Sequence, residues 1–446
     1  MASDRSYPGL NGCSDASANI SGALVGAGIK VAGAEGVAVG SGLEALSAAL
    51  WFAYLNEAAK MFEQQYATRD DIDAAMKLGC GYRIGPLRQL DAIGADNAVA
   101  VLDALYEASR DPRHKAADVL TGLVAAGNLG QSTGSGFYDY VAPGSSQLAI
   151  PEHDEDVVIE AEQRSISKVG VVGTGSMAVG ISEVFAKAGY DVIYVARNPD
   201  RVTQVDASLK KSLDRAVAKG KLSEEDRDAA LARVVGTVDY EDLADVDIVV
   251  GAIVENLDTK REKFRTLDRV CKPGAILATT TSSLSVAELA AVTSRPHDVV
   301  GMHFFNPAPV MKLVEIVETD ATSQDVTATV VELCKDLGKH PVLCGDRAGF
   351  IVNFLLFPYL NDAVRAVEAE LVTMEDLDPL MKAWQSLPLG PFALLDVVGT
   401  DVSLAIEEVI YKAFGGACYA PAPLLKKTVA AGRLGRKIGK GFYDYA

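Results

Sequence analysis

The sequence contains one helical pattern twice, at a constant offset of 305 residues. Residues 54–58 read Tyr-Leu-Asn-Glu-Ala, and residues 359–363 read Tyr-Leu-Asn-Asp-Ala. Further segments match at the same offset: 85–96 with 390–401, 125–130 with 430–435, and 136–140 with 441–445. Several matches at one offset without a gap indicate two copies of one unit. We predict a first helical copy at residues 38–141 and a second helical copy at residues 346–446.

Both copies are predicted to be all-α. Residues 43–65 and 350–370 are long apolar segments with polar residues at helical spacing. Thr68 and Thr373 each precede acidic residues, a pattern that is typical of helix starts.

The region between the copies has a different pattern. Residues 142–166 combine Pro, Gly and Ser with many acidic residues, which predicts a solvated linker. In residues 167–345 short β-branched runs alternate with helical segments, which predicts βαβ units and a parallel sheet. The runs are 169–172, 192–195, 248–253, 276–279, 299–303 and 314–317. Residues 1–37, rich in Gly, Ala and Ser, are predicted to be a tail or loop.

Composition excludes several protein classes. The net charge of -18 argues against a nucleic-acid binder, because such a chain repels phosphate. The six cysteines form no C-x-x-C pair, which argues against structural zinc and against a redox motif and suits a reducing compartment. We therefore expect no metal site. We find no apolar run of about 18 residues, so we expect no membrane span and a cytoplasmic location.

A glycine-rich turn follows the first predicted strand. It has the pattern G-x-G-x-x-A and consists of Gly173, Thr174, Gly175, Ser176, Met177 and Ala178. In this pattern the first glycine permits a tight turn, the second lets pyrophosphate approach the backbone, and the small third residue lets helix and strand pack closely. The helix that begins here would offer free N–H groups to the phosphates. The turn therefore predicts a Rossmann domain that binds NAD or NADP.

The end of the second predicted strand leaves the choice of cofactor open. An acidic residue usually binds the ribose 2′-hydroxyl of NAD at this point. Here Ala196 is followed by Arg197, which could accept the 2′-phosphate of NADP or be an ordinary exposed arginine.

His303 and Glu315 are the candidate acid–base pair. His303 ends a predicted strand, and the carboxyl ends of parallel strands are where open α/β sheets bind ligands. Oxidation of an alcohol by hydride transfer needs a base for the hydroxyl proton, and a carboxylate can orient the histidine ring. Taken alone, His303 would more often be a structural histidine than a catalyst, and Glu315 would more often be a solvated strand residue.

Longer motifs carry a resemblance to a known family. Residues 281–284 read Thr-Ser-Ser-Leu, residues 301–307 Gly-Met-His-Phe-Phe-Asn-Pro, residues 310–315 Val-Met-Lys-Leu-Val-Glu, and residues 349–353 Gly-Phe-Ile-Val-Asn. From about Lys168 to Tyr445 the sequence resembles the L-3-hydroxyacyl-CoA dehydrogenase family, and the first helical copy resembles that family's C-terminal domain a second time. The resemblance implies an α/β Rossmann domain plus two all-α helical domains, with a short-chain acyl-CoA as substrate.

The resemblance also implies the roles of individual residues. His303 matches the catalytic base and Glu315 its partner, while Ser282 and Asn353 match residues that hydrogen-bond the 3-oxygen and hold the thioester end of the substrate. Ser282 also counts among the cofactor and substrate contacts. The other implied contacts are Glu255, Lys260 and Lys437 for the cofactor, and Ser212 and Lys219 for coenzyme A. The sequence departs from the family at Ala178, Ala196, Thr280, Ala348 and Phe354, and these departures put the cofactor in doubt.

The first helical copy is interpreted as non-catalytic. The residues that correspond to Asn353, Gly349 and Lys437 are Ala48, Glu44 and Ser132. We therefore expect it to cover the second copy as an intramolecular pseudo-dimer, with further homo-oligomerisation left open. Two alternatives remain: a dehydrogenase of free hydroxy acids or sugar acids with the same fold, and a binding protein without activity.

Overall fold

The computed structural model describes residues 41–150 and 159–445. These residues form two compact units, one made of residues 41–150 and 351–445 and the other of residues 159–350. The predicted tail at 1–37 and residues 151–158 of the predicted linker lie outside the described residues. Within the described ranges, no helix has the length and apolar character needed to cross a membrane.

The first helical copy is helical as predicted. Its described helices are α1 (Ser41–Glu63), α2 (Arg69–Cys80), α3 (Pro86–Ile93), α4 (Ala95–Ser109) and α5 (Asp118–Ala126). Helix α2 starts directly after Thr68, as the sequence predicts. The Thr68 hydroxyl caps the helix by accepting a hydrogen bond from the Asp71 N–H at 3.1 Å.

An eight-stranded sheet forms the core of the unit made of residues 159–350. Its strands are β1 (Lys168–Val172), β2 (Asp191–Val195), β3 (Val234–Thr237), β4 (Ile248–Gly251), β5 (Ile276–Thr279), β6 (Val299–Phe304), β7 (Leu313–Glu318) and β8 (His340–Gly345). Their order is β3-β2-β1-β4-β5-β6-β7-β8. The order reverses next to β1, and open α/β sheets bind ligands at such a reversal. The predicted Rossmann architecture is therefore confirmed.

The helices of this unit connect the strands. They are α6 (Ser176–Lys187), α7 (Pro199–Ala218), α8 (Glu224–Ala232), α9 (Leu257–Val270), α10 (Val286–Ala290) and α11 (Gln324–Asp336). Phe185 of α6, Leu209 of α7 and Val330 of α11 are buried in one hydrophobic core with the strands. The alternating pattern of the sequence thus buries the sheet beneath helices.

The expectation of a parallel sheet is wrong at one strand pair. Strands β1 to β6 run parallel, but β7 pairs antiparallel with β6. Residues 305–312 connect the two strands, and a parallel crossover needs about a dozen residues or more. The connection can only reverse the chain direction, so residues near the end of β6 face residues near the start of β7.

The second helical copy contains five described helices. They are α12 (Val352–Glu368), α13 (Met374–Gln385), α14 (Pro391–Val398), α15 (Thr400–Phe414) and α16 (Pro423–Ala430). Its internal hydrogen bonds repeat those of the first copy. Asp396 accepts from the Phe442 N–H at 2.8 Å, as Asp91 accepts from the Phe137 N–H at 2.8 Å.

The two helical copies pack against each other within one compact unit, with α1 lying against α12. The ring of Trp51 meets the ring of Tyr359 edge-on, with 5.5 Å between their centroids. The Gln89 amide donates to the Gln385 amide oxygen at 2.6 Å. Large apolar side chains such as Phe52 and Leu360 are fully buried in this unit.

Candidate active site

The glycine-rich turn lies between β1 and α6, at the reversal of strand order. Gly173 has a φ of 140°, and a Cβ there would lie 2.1 Å from the Ala252 carbonyl oxygen, so only glycine fits. Gly175 is exposed, and so is Ser176, at which α6 begins. Ala178 is 1% exposed, which lets the helix approach β1 closely. The backbone N–H groups at the start of α6 can therefore receive a phosphate group.

The end of β2 carries the residues that bear on cofactor choice. Ala196 is buried, and its N–H donates to the Thr237 carbonyl at 2.8 Å. Arg197 is exposed. The Asn198 side chain caps α7 by accepting from the Arg201 N–H at 2.9 Å. The chain thus presents an arginine, with no carboxylate at Ala196, where the ribose of a dinucleotide is usually bound.

His303 and Glu315 lie directly opposite each other in the antiparallel pair of β6 and β7. The His303 Nδ1 atom is 2.6 Å from the Glu315 Oε2 atom. Glu315 is fully buried and His303 is 7% exposed. The rings of Phe305 and Phe350 pack against the imidazole, with centroid distances of 4.6 and 5.6 Å. If Nδ1–H donates to the carboxylate, the basic lone pair is on Nε2, at the other side of the ring.

Thr281 and Ser282 are both hydrogen-bonded to the carboxylate of Glu255. Glu255 Oε1 accepts from the Ser282 N–H at 2.9 Å and also from the hydroxyl of Thr281. The Lys260 ammonium, 1% exposed, lies 3.1 Å from Glu255 Oε2. Burial raises the pKa of Glu255, but Lys260 and these hydrogen bonds outweigh that effect and lower it. The loop is joined to β6 because the Thr280 hydroxyl accepts from the Phe304 N–H at 3.4 Å.

The other predicted site residues belong to other elements. Asn353, 7% exposed, is in α12 of the helical unit. Lys437 belongs to the same unit, where its ammonium contacts both carboxylate oxygens of Asp401 at 2.5 and 2.7 Å. Ser212, half-buried, is on α7, and the exposed Lys219 ends that helix. The structure therefore brings His303 into contact with Glu315, and Ser282 into contact with Glu255.

Sequence reasoning missed three contributors to this site. The sequence identifies Thr281 and Phe350 only as members of motifs. It does not identify Asp346, whose carboxylate accepts from the Ser285 hydroxyl at 2.7 Å and the Val286 N–H at 3.0 Å. Ser285 and Glu288 form a capping pattern that marks the start of α10, but nothing in that pattern points to Asp346. Among the described residues, no group of three or more metal-binding side chains is placed to hold an ion.

Two family models match the chain. The NAD binding domain of 3-hydroxyacyl-CoA dehydrogenase matches residues 168–347. The C-terminal domain of 3-hydroxyacyl-CoA dehydrogenase matches twice, at residues 47–140 and at residues 349–445.

Individual proteins agree with these matches. A 3-hydroxybutyryl-CoA dehydrogenase of Clostridioides difficile is 44% identical over 62% of this chain and 99% of its own length. One of Mycobacterium tuberculosis is 45% identical over 63% of this chain and 99% of its own length. The crystal structure of the (S)-3-hydroxybutyryl-CoA dehydrogenase PaaH1 of Ralstonia eutropha is 43% identical. It covers 63% of this chain and 100% of its own, with a TM-score of 0.62. The chain therefore belongs to the 3-hydroxyacyl-CoA dehydrogenase family.

Proposed function

We propose that this chain interconverts short-chain (S)-3-hydroxyacyl-CoA and 3-oxoacyl-CoA with a nicotinamide dinucleotide, and that His303 is the general base. The observation that carries the proposal is the 2.6 Å contact between His303 Nδ1 and Glu315 Oε2 at the end of β6. A fully buried carboxylate on Nδ1 favours the tautomer whose free Nε2 can take a proton, and it stabilises the imidazolium that results.

The turn at residues 173–178 fits the pyrophosphate of such a cofactor. No atom lies within 4 Å of the place that a Cβ would fill at Gly175, and together with the exposed start of α6 this leaves room for phosphate oxygens near backbone N–H groups. A nicotinamide cofactor bound there would supply hydride transfer to or from the substrate carbon. The protein then has to bind the substrate, keep its 3-oxygen in place and move the proton.

In this proposal the remaining site residues share the binding work. Ser282, whose N–H is bound to Glu255, and Asn353 hydrogen-bond the substrate, and these contacts strengthen as charge develops on the 3-oxygen during reduction. Glu255 and Lys260 contact the nicotinamide ribose region, and Lys437 is a further cofactor contact. Ser212 and Lys219 bind coenzyme A, where an exposed ammonium can pair with phosphate.

We further propose that the enzyme accepts NADPH. The buried Ala196 leaves no carboxylate to repel a 2′-phosphate, and the exposed Arg197 follows it directly. A guanidinium can bind phosphate oxygens in a bidentate manner.

The first helical copy is proposed to be a structural pseudo-subunit within the chain. It lacks the asparagine and lysine of the second copy, carrying Ala48 and Ser132 instead. Its helix α1 packs against α12, which contains Asn353, and Ala48 is fully buried there. Its contribution is therefore to cover and support the helix that carries a substrate contact.

One assay tests the reaction. The protein is incubated with acetoacetyl-CoA and either NADH or NADPH while the absorbance of the reduced nicotinamide is followed. We expect oxidation with acetoacetyl-CoA and none with free acetoacetate. Turnover of the free acid would favour a hydroxy-acid dehydrogenase, and the absence of turnover with any of them would favour a binding protein.

A further inference from the structure

Asp346 directly follows β8 and caps the first turn of α10 with both of its carboxylate oxygens. Oδ1 accepts the Val286 N–H at 3.0 Å. Oδ2 accepts the Ala287 N–H at 2.8 Å and the Ser285 hydroxyl at 2.7 Å. One side chain thus binds three consecutive residues that precede it by about sixty positions in the sequence.

These three residues continue the loop that carries Ser282. The turn from Thr281 to Ser285 is closed because the Thr281 hydroxyl accepts the Leu284 N–H at 2.9 Å. At its start the loop is bound to Glu255 through the Ser282 N–H. A carboxylate therefore holds each end of this short loop, Glu255 before Ser282 and Asp346 after it.

Helix α10 also packs directly on β6. A Cβ at Gly301 would lie 3.1 Å from Val286 Cγ2 and 2.6 Å from Val317 Cβ, so the contact requires glycine. His303 follows two residues later on the same strand. The helix that Asp346 caps is therefore in direct contact with the strand that carries the histidine.

The segment after Asp346 returns to the same histidine. Gly349 has a φ of 83° and Phe350 a φ of 49°, both in the left-handed region. This conformation is unfavourable for phenylalanine and persists only where the surroundings determine it. The Phe350 ring, 1% exposed, packs at 5.6 Å from the His303 ring. Asp346 therefore holds the start of the segment 346–350, and Phe350 at the end of that segment packs against the imidazole of His303.

We propose that Asp346 is a positioning residue for the reaction, acting through α10 on Ser282 and through residues 346–350 on His303. The proposal rests on the roles given above to Ser282 and His303. Asp346 itself contacts neither of these side chains in the hydrogen bonds described. An ordinary helix cap contributes stability alone, whereas a positioning residue also changes turnover in the folded enzyme.

Asp247 provides a matched control in the same unit. Its carboxylate likewise accepts several donors, from the Ser167 N–H at 2.8 Å, the Lys168 N–H at 2.9 Å and the Lys272 ammonium at 2.6 Å. Asp247 directly precedes β4 and is hydrogen-bonded to the first residue of β1. The glycine-rich turn follows the other end of β1. Removal of Asp247 costs structural hydrogen bonds without touching the Ser282 loop.

The experiment compares Asp346→Ala, Asp346→Asn and Asp247→Ala in the full chain. We expect Asp346→Ala to lower kcat by about 10- to 100-fold, because small displacements of catalytic groups have such effects. Asp346→Asn should be intermediate, since its amide oxygen still accepts one N–H. The Kd of NADH, measured by fluorescence, should not change. Asp247→Ala should lower Tm and leave kcat as it is.

A kinetic isotope effect on kcat distinguishes slower hydride transfer from a slower step before or after it. With a cofactor deuterated at the transferred hydrogen, Asp346→Ala should show an effect on kcat at least as large as that of the wild type. A smaller effect would mean that a step other than the chemistry had slowed, and the proposal would be wrong. It would also be wrong if Asp346→Ala lowered kcat no more than Asp247→Ala. Inactivity of the wild-type protein with acetoacetyl-CoA would instead overturn the proposed function, and this proposal with it.

Discussion

Arg113 of the first helical copy donates a hydrogen bond of 2.6 Å to Asp362 of the second copy, and both side chains are 7% exposed. Arg113 also donates to Asp111 at 2.6 Å. In the second copy the position of Arg113 is occupied by Cys418, and in the first copy the position of Asp362 is occupied by Glu57. Two second copies facing each other would place Cys418 against Asp362, and this buried carboxylate would lose the hydrogen bond from Arg113 and keep only the longer contact with Arg365, at 3.6 Å. The pair therefore favours packing between unlike copies.

Replacement of this arginine should destabilise the helical unit. Burial lowers the pKa of Arg113, but Asp362 and Asp111 outweigh it and raise the pKa, so the guanidinium stays charged. Arg113→Met leaves both carboxylates buried, and breaking a buried pair in this way costs about 3–5 kcal/mol. Chemical denaturation measures the loss. Arg110→Gln is the control, because its pair with Glu107 is well exposed, and an equal loss there would contradict the prediction.

Removal of the first helical copy should expose the face of α12 that it covers. A chain that begins at Ser165 would leave Tyr359, which is buried in the full chain and packs against Trp51, without α1. Large exposed apolar patches are rare in monomers, so we expect this chain to dimerise, aggregate or melt at a lower temperature. Light scattering and thermal melting measure these outcomes. A truncated chain that stays monomeric and keeps the Tm of the full chain would exclude a structural role.

Loss of the imidazole should abolish most of the turnover. General-base catalysis typically contributes about 10²–10⁴-fold in rate, so His303→Ala should lower kcat by that factor. The affinity for the cofactor should remain, because the glycine-rich turn is unchanged. His297→Ala is the matched control, since that side chain is 59% exposed. Wild-type turnover in His303→Ala would show that another group takes the proton.

The exposed arginine after β2 should determine the preference for NADPH. Arg197→Ala should lower kcat/KM with NADPH and leave kcat/KM with NADH nearly unchanged, because only NADPH carries the 2′-phosphate. Arg269→Ala, which removes an exposed arginine from α9, controls for the change in net charge. If the ratio of the two kcat/KM values is the same in both variants, Arg197 does not bind the phosphate.

Glu407 should make the stability of the helical unit depend on pH. It is 2% exposed, and neither carboxyl oxygen has a hydrogen-bond partner among the described residues. Burial raises its pKa well above 4.5, and Arg365 offsets this only in part. As pH rises above 4.5 the unfolded chain loses this proton while the folded chain keeps it, so stability falls until the folded pKa is reached.

The measurement is a comparison of melting temperatures. Glu407→Gln removes the titration, so its Tm advantage over the wild type should grow as pH rises above 4.5 and level off only above the raised pKa of the folded chain. The first copy has Leu102 at this position, which shows that the fold accepts a neutral residue there. Glu408→Gln, an exposed neighbour, is the control. An advantage that stays constant with pH would show that Glu407 titrates normally.

Much of the sheet could be predicted because its central strands are apolar and flanked by helical patterns. The two strands that the sequence pattern did not reveal, β3 and β8, lie at the edges of the sheet. Strand β3 has only four residues, Gly236 among them, and β8 contains Pro341. Glycine and proline both weaken a strand signal, and proline is tolerated at sheet edges. The antiparallel direction of β7 could not be predicted from the pattern, because an apolar run has the same composition in a parallel and in an antiparallel strand.

The site was predictable where its residues are close in sequence. His303 and Glu315 are twelve residues apart, and one hairpin brings them together. Asp346 is about sixty residues from the helix that it caps. Nothing in the sequence around this single acidic residue indicates which helix that is. The ring of Phe350 reaches His303 through two residues with positive φ, a backbone path that residue types alone do not specify.

The packing of α1 against α12 also imposes an order of events during synthesis. Gln89 and Gln385, which meet across the two copies, are 296 residues apart. At about 5–20 residues per second, a ribosome makes the second residue about 15–60 s after the first. Helix α1 of the first copy therefore lacks its packing partner, α12, until the second copy has been synthesised. Once both parts are present, they join in a reaction within one molecule, whose rate does not depend on how many other molecules the cell contains.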